Sequence, residues 1–395
     1  MAGTEIFGKP GRRRRVGSKA ENRKRREMLT TRAAVITEPG APWELIDLAL
    51  DPPGPGELLV EFVASGLCQS DESMRKGTLG GDVRYPIVGG HEGAGIVREV
   101  GVGVQGIAVG DHIVCSFRPS CGRCDFCAAG KSYVCELSRR TMKGALPSGE
   151  FRFHRDGVRY GASAMLGTFS QFAVISQSSC LVVEKDIPLQ TLAVLGCAVP
   201  TGWGAAVNTA QVQPGDVVVV IGAGGVGMNA CQGAQIAGAS QVIVIDPVQA
   251  KIEAATAFGA TSGYTSLAEA SDVILSTRRG GADAIILTAA VPSIPAEAVA
   301  MLVPGGNLTI AALGDPKTFR LDVPIAPMAL RNLSIRGSAI GSSNFRDTIP
   351  RLISLYRDGK LKLDELVTKH YTLDEIGPGF DDLAAGRNLR GVVLH

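Results

Sequence analysis

No apolar run in this sequence approaches the roughly 18 residues that a membrane-spanning helix needs, and the N-terminus lacks the hydrophobic core of a signal peptide. There is no internal repeat, which excludes a solenoid or propeller. Aromatic residues make up only 5% of the chain. Cysteine is present without the even, regular spacing of a disulfide framework: nine in all, an odd number, four of them between Cys121 and Cys135. That distribution fits metal ligation in a reducing compartment, and a cytoplasmic protein is the expectation.

What is present is a globular composition, 395 residues with 45% hydrophobic and 50 glycines, long enough for two domains. The formal charge of +2 is uneven. Residues 1–27 carry ten Lys and Arg against Glu5, Glu21 and Glu27, so a basic arm precedes a mildly acidic body. Such an arm suits nucleic acid or an anionic surface. No aromatic residue lies among the basic ones, so a base-stacking platform is missing. A solvated extension, or a start at Met28 just before LTTRAAVITEPG, is the better expectation, and nucleic acid is not the expected partner.

From Arg32 to about Ser120, short β-branched stretches (RAAVIT, ELLVEFVA, GAGIVREV, DHIVCSF) are broken by Gly and Pro, the pattern of antiparallel or barrel-like β structure. Beyond Gly196 the pattern changes. DVVVVIG, SQVIVID, DAIILTAA, GNLTIAAL and LSIRGSAI are continuous apolar strands, and helical stretches lie between the first of them. Buried parallel strands of that kind build a doubly wound α/β sheet. NFRDTIPRLISLYRDGKL reads as an amphipathic helix and LRGVVLH as a last strand; this tail is too small to stand alone and is expected to pack back on the first domain.

GAGGVG, Gly222 to Gly227, follows the strand VVVVI and opens a helix. In a dinucleotide site Gly222 makes the tight turn, Gly224 and Gly225 leave amides open to a pyrophosphate, and Gly227 lets helix and strand approach. Asp246 closes the next strand, where a carboxylate accepts from the ribose hydroxyls and repels a 2′-phosphate, favouring NAD over NADP.

Cys121, Cys124, Cys127 and Cys135 form a loop spaced for a closed, tetrahedral structural zinc; an iron–sulfur cluster is also compatible with the spacing. A second set is dispersed: Cys68 in GLCQSD, His91 in GGHEGAG and Cys197 in LGCAVPTG. Together they offer two thiolates and an imidazole, a zinc set with its fourth position open. Alone, each is an ordinary core cysteine or turn histidine.

On GLCxSD, GHEGAG, the cysteine loop, GCxxxTGxGAA, GAGGVG and the distal Asp, the chain from about Arg32 onward resembles the zinc-dependent alcohol dehydrogenases of the medium-chain dehydrogenase/reductase superfamily. FRFHRDGVRYGASAMLGTFSQF and PRLISLYRDGKLKLDEL are more particularly similar to the nitrosoaniline (NDMA)-dependent bacterial alcohol dehydrogenases, which hold NAD tightly and recycle it through an electron acceptor.

The resemblance implies a GroES-like β-barrel catalytic domain over 28–198, a Rossmann NAD domain over 199–337 and a return to the catalytic domain over 338–395. It also implies roles. Cys68, His91 and Cys197 ligate a catalytic zinc, Asp71 orients His91, and Glu92 stands behind the metal. Ser70 takes the substrate proton and Phe117 walls the alcohol pocket. Thr201 and Val226 flank the nicotinamide, Asp246 and Lys251 meet the adenine ribose, and Arg390 meets the pyrophosphate. The implied reaction is reversible oxidation of an alcohol by hydride transfer to NAD, with two zinc ions per chain and, in this group, a redox carrier that reoxidises NADH. A formaldehyde or thiol-adduct dehydrogenase is the alternative within the superfamily.

The stretch from about Thr141 to Leu166 resembles a long loop of dimeric members, so a homodimer is expected over a tetramer. Two positions depart from the family: Gln69 stands where a basic residue is common, and Ser73 replaces the relay histidine, so the proton must leave by another route.

Overall fold

The structure, a computed structural model, describes residues 28–80 and 82–395. The basic arm 1–27, with the nucleic-acid reading attached to it, lies outside the described residues.

The strand Val217–Ile221 has all five residues buried, as an uninterrupted β-branched run requires. It is central in a six-stranded sheet whose order is Ser262–Tyr264, Gln241–Ile245, Val217–Ile221, Ala282–Leu287, Leu302–Ile310 and Ser334–Gly337, and every neighbouring pair is parallel. This is the doubly wound Rossmann order. The switch point, where ligands bind such sheets, falls beyond the carboxyl ends of Val217–Ile221 and Ala282–Leu287.

The remaining strands make a closed barrel of Leu29–Ile36, Glu44–Leu50, Phe153–Arg155, Val158–Ala162 and Ile87–Val88, beside a second sheet built around Glu57–Gly66. The tail does return to this part: Val392 of the strand Arg390–Leu394 pairs antiparallel with Gly66. The stretch 141–166, expected as a long loop, holds a hairpin instead. Phe153–Arg155 and Val158–Ala162 pair across Asp156 and Gly157, both with positive φ (49° and 79°), and Phe153 is fully buried in the barrel core. The Asp-Gly dipeptide is the local signal for that turn. Among the described residues no helix is long and apolar enough to cross a membrane.

The chain enters the nucleotide lobe directly after Cys197, through a helix–helix contact. Cys197 caps the helix Ala198–Gly204, which lies across the helix Gly225–Ile236 that follows the nucleotide turn. Glycine is required on both sides. A Cβ at Gly202 would run into the Val226 carbonyl oxygen, and one at Gly233 would sit 2.8 Å from the Trp203 carbonyl oxygen. The apolar rows around this contact, including Val199, Ala206, Met228 and Ala230, belong to one core that continues under the parallel sheet. Gly202→Ala is therefore expected to cost about 1–3 kcal/mol, as overpacking a filled interior does, and to lower the thermal midpoint; an unchanged midpoint would contradict the close approach.

Candidate functional site

Cys68 follows the strand Glu57–Gly66 and sits at the N-cap of the short helix Gln69–Arg75. His91 precedes the strand Gly93–Val100, and Cys197 heads the helix at the lobe junction. From three distant segments, the Cys68 and Cys197 sulfurs, the His91 imidazole and a Glu92 carboxylate oxygen converge to within 4.8 Å of one another, all on buried residues.

Their electrostatics conflict. The hydrogen bond with Cys197 and the His91 charge hold the Cys68 thiol well below its usual value in spite of burial, while the bond to Cys68 and burial push Cys197 up. Burial alone would lower the His91 imidazole, but the charges of Asp71 and Cys68 and their hydrogen bonds hold it up at about 10. A divalent cation among these groups resolves the conflict, because it keeps both sulfurs as thiolates and the imidazole neutral.

The surrounding layer is built for orientation. His91 donates from Nδ1 to Asp71 Oδ1 at 3.0 Å, and the Gly90 amide donates to the same oxygen at 3.2 Å. The other ring nitrogen, Nε2, is thereby turned away from Asp71. Glu92 is fully buried, and its Oε1 pairs with Arg390 Nη2. Buried polar atoms without a partner gather here: Asp71 Oδ2, Glu92 Oε2, Thr201 Oγ1, Arg118 Nε and Arg390 Nε. Orphans are rare in a finished interior, and so many in one place mark a site that lacks its ligands. The donor set and these orphans together fit a zinc ion.

The nucleotide turn is equally specific. Gly222 has φ of 100°, and a Cβ at Gly227 would strike the Gly222 carbonyl oxygen. Around Gly224 a Cβ would meet nothing within 4 Å, which leaves the start of the following helix open to an anion. Asp246 is anchored at the strand end, its oxygens accepting from the Ala223 amide at 2.8 Å and the Val248 amide at 2.9 Å. A carboxylate so held keeps lone pairs for a ribose. Lys251 lies beside Gly386. The side chain of Arg390 passes close to Gly225, so one buried arginine spans the nucleotide turn and the metal-ligand cluster.

In the four-cysteine loop, Cys121 and Cys127 sulfurs lie 3.9 Å apart, as do those of Cys124 and Cys135. A zinc tetrahedron with bonds of about 2.3 Å has edges near 3.8 Å, so the loop has closed around a zinc-sized centre. Backbone amides aim at it: the Cys124 amide donates to the Cys121 sulfur at 3.4 Å. The hydrogen bonds that Cys124 receives from the Glu136 and Cys127 backbone bring its thiol down to about 6. Cys124 also caps a single helical turn, Asp125–Ala128, where sequence reasoning had placed only loop.

Of the remaining predicted residues, Phe117 packs edge-on to His91, ring centroids 5.6 Å apart. Thr201 lies one turn beyond Cys197, its amide donating to the Cys197 carbonyl at 3.0 Å. Ser70 is half-buried next to Asp71, Val226 is the second residue of the nucleotide helix, and Gln69 and Ser73 lie on the Cys68 helix, Gln69 exposed. Sequence reasoning missed two features. The pairing of Glu92 with Arg390, 298 positions apart, left no local trace. Arg118, next to Phe117, could have been noticed as a cation inside a segment otherwise bound for the interior, VCSFRPSC.

Two lobes, a dinucleotide turn and two cysteine-rich groups that could each hold a metal ion are the parts of a zinc-binding dehydrogenase. Comparison with known proteins agrees. Residues 54–185 match the alcohol dehydrogenase GroES-like domain, and residues 225–357 match the zinc-binding dehydrogenase family. The chain is 44% identical to an NDMA-dependent alcohol dehydrogenase of Amycolatopsis methanolica over 93% of its own length and 99% of that protein. It is 37% identical to alcohol dehydrogenase B of Mycobacterium tuberculosis, covering 93% and 99% of the two chains. Benzyl alcohol dehydrogenase from Acinetobacter calcoaceticus superimposes with a TM-score of 0.86 at 30% identity, over 93% of this chain and 99% of that one. The chain belongs to the zinc-dependent alcohol dehydrogenases of the medium-chain superfamily.

Asp71→Asn is expected to weaken zinc at the cluster of Cys68, His91 and Cys197 by about 10–100-fold, the usual effect of losing a partner that orients a histidine ligand, while the four-cysteine zinc is retained. Chelator competition measures both, and equal affinities in wild type and variant would contradict the orienting role.

Proposed function

We propose that this chain oxidises an alcohol reversibly to an aldehyde or ketone, transferring hydride to an NAD that stays tightly bound and is reoxidised in place by an electron acceptor or redox carrier. The observation that carries this reading is the convergence of Cys68, His91 and Cys197 into one buried cluster that Arg390 links to the nucleotide turn. In this reading those three residues hold the catalytic zinc, and Cys121, Cys124, Cys127 and Cys135 hold a structural one. The 44% identity to an NDMA-dependent enzyme supports the recycling mode.

When bound, zinc supplies the Lewis acidity that favours the ionised alcohol, and NAD supplies the hydride acceptor. The protein's own residues do the rest. Asp71 fixes the His91 ring, so the ligand geometry is set before substrate arrives. Phe117 covers the imidazole with an apolar wall that excludes water from the reacting carbon. Thr201, with a buried hydroxyl one turn from Cys197, suits the nicotinamide amide. Gly222 to Gly227 present amides to the pyrophosphate, Val226 backs the nicotinamide, and Asp246 with Lys251 receives the adenine ribose, which favours NAD over NADP. Glu92 balances Arg390 between the two centres.

Ser70 relays the alcohol's proton, accepting it while its own hydroxyl proton passes to water or the ribose hydroxyls; Ser73, one turn on, cannot act as the terminal base near neutral pH. A cytoplasmic homodimer completes the reading. A thiol-adduct dehydrogenase has no observation of its own to favour it.

The test is an alcohol panel assayed with and without an artificial electron acceptor. The acceptor is expected to be required for multiple turnovers, with NAD retained through gel filtration. Cys68→Ala is expected to abolish turnover in a chain that still folds. An active Cys68→Ala, or turnover that depends only on added NAD, would overturn the respective part.

A further inference from the structure

The helix Gly225–Ile236 carries two primary amides at a depth where such side chains are uncommon. Asn229 is fully buried and Gln232 is 3% exposed, beside Met228, Ala230 and Cys231 of the shared core. Burying a primary amide is costly unless its donors and acceptors are met. Here they are met in series. The Lys362 amide donates to Gln232 Oε1 at 2.7 Å, and Gln232 Nε2 donates to the Lys362 carbonyl at 3.2 Å and to Asn229 Oδ1 at 3.1 Å. Asn229 Nδ2 then donates to the Gly225 carbonyl at 2.7 Å.

The series has a direction. A backbone N–H only donates, so Lys362 fixes which end of the Gln232 amide is oxygen. The Gln232 nitrogen then faces Asn229, whose oxygen must accept, and the Asn229 nitrogen is left for Gly225. Lys362 is itself held between Leu361 and Leu363, both buried in the same core. A packed segment 130 positions from Gln232 thus sets the orientation of one amide in the nucleotide helix.

Gly225 is the first residue of that helix, and its carbonyl belongs to the same peptide unit as the Val226 amide. The first amides of a helix have no partner within it, and in the reading above those of this turn serve the pyrophosphate. A hydrogen bond to a peptide carbonyl polarises the peptide and strengthens its N–H as a donor, by about 10–30%. The same bond restrains the peptide plane. Asn229 does both from the packed side of the helix, in addition to the backbone bond that a regular helix gives the same carbonyl.

We propose that Asn229 is a positioning residue for the pyrophosphate of NAD: its side-chain amide, oriented by Gln232 and Lys362, polarises and holds the Gly225–Val226 peptide and so slows release of the cofactor. The proposal rests on the reading of Gly222 to Gly227 as the pyrophosphate turn and adds to it a physical cause for the retention of NAD.

The experiment follows NADH fluorescence during a chase with excess NAD, from loaded wild type, Asn229→Ala, Asn229→Ser, Gln232→Met and the double variant of Asn229→Ala with Gln232→Met. Asn229→Ala keeps the helical bond to the Gly225 carbonyl and is expected to release NADH about 2–10-fold faster, the range of one hydrogen bond. Asn229→Ser is expected to restore much of the wild-type rate, because a serine hydroxyl donates to the carbonyl four residues back. Gln232→Met is expected to speed release too, and the double variant to be no faster than Asn229→Ala, since Gln232 acts through Asn229. Thermal midpoint and zinc content are read in parallel.

Unchanged release in Asn229→Ala, or release raised equally by Ala and Ser, would overturn the positioning role. Additive effects in the double variant would overturn the relay through Gln232. Should Asn229→Ala fail to fold, Gln232→Met decides, and release at the wild-type rate from it overturns the proposal. A wild type that loses NADH during gel filtration would overturn tight retention and leave the ratios among variants to judge Asn229. A wild type that binds no NADH would sink the pyrophosphate turn and the proposal together.

Discussion

The cleft depends on two helices lying so close that their contact admits no side chain. Cys197 heads one of them and the dinucleotide turn opens the other. With Gly202 against the Val226 carbonyl, the separation between a metal ligand and the nucleotide site is fixed by backbone atoms, which do not adapt as side chains do. Hydride transfer needs that kind of fixed distance, since small errors of position between reacting centres cost large factors in rate. The core rows that pack around the contact hold it, and the doubly wound sheet supplies the platform.

A second constraint is charge in a dry place. The site holds two carboxylates, two thiols, an imidazole and a guanidinium in the interior, an arrangement that an apolar environment tolerates only when each group is paired. Asp71 and His91 form one pair, Glu92 and Arg390 another, and a divalent cation completes the thiols. The unpartnered oxygens of Asp71, Glu92 and Thr201 are the remainder that ligands must satisfy. Burial of His91 beneath Phe117 and convergence of Cys68 and Cys197 thus belong to one design: a pocket where polarising groups meet little competing water.

Much of this was legible in the sequence because it is written locally. VVVVIGAGGVG carries strand, turn and helix within eleven residues, and the four cysteines sit in one loop, so spacing alone suggests their partners. The alternation of apolar strands and helices gave the parallel sheet, and the Gly-broken β-branched stretches gave the barrel. The dispersed ligands were readable only as a matched set. Cys68, His91 and Cys197 are single residues whose convergence is made by strand pairing and helix packing across 130 positions. The same holds for Glu92 with Arg390, a contact created by the final strand returning to Glu57–Gly66. The Asp156–Gly157 hairpin was missed for a different reason: the resemblance to a loop outweighed a turn signal present in the sequence itself.

The central claim is that the conspicuous four-cysteine loop and the scattered trio are two different zinc centres, one closed and one catalytic. X-ray absorption at the zinc edge tests it most directly. With four sulfurs at one centre and two sulfurs plus an imidazole at the other, the account predicts about three sulfurs per zinc on average together with imidazole scattering. Adding an alcohol analogue should alter only the nitrogen and oxygen part of the signal. A spectrum of four sulfurs per zinc, without imidazole and unmoved by the analogue, would contradict it.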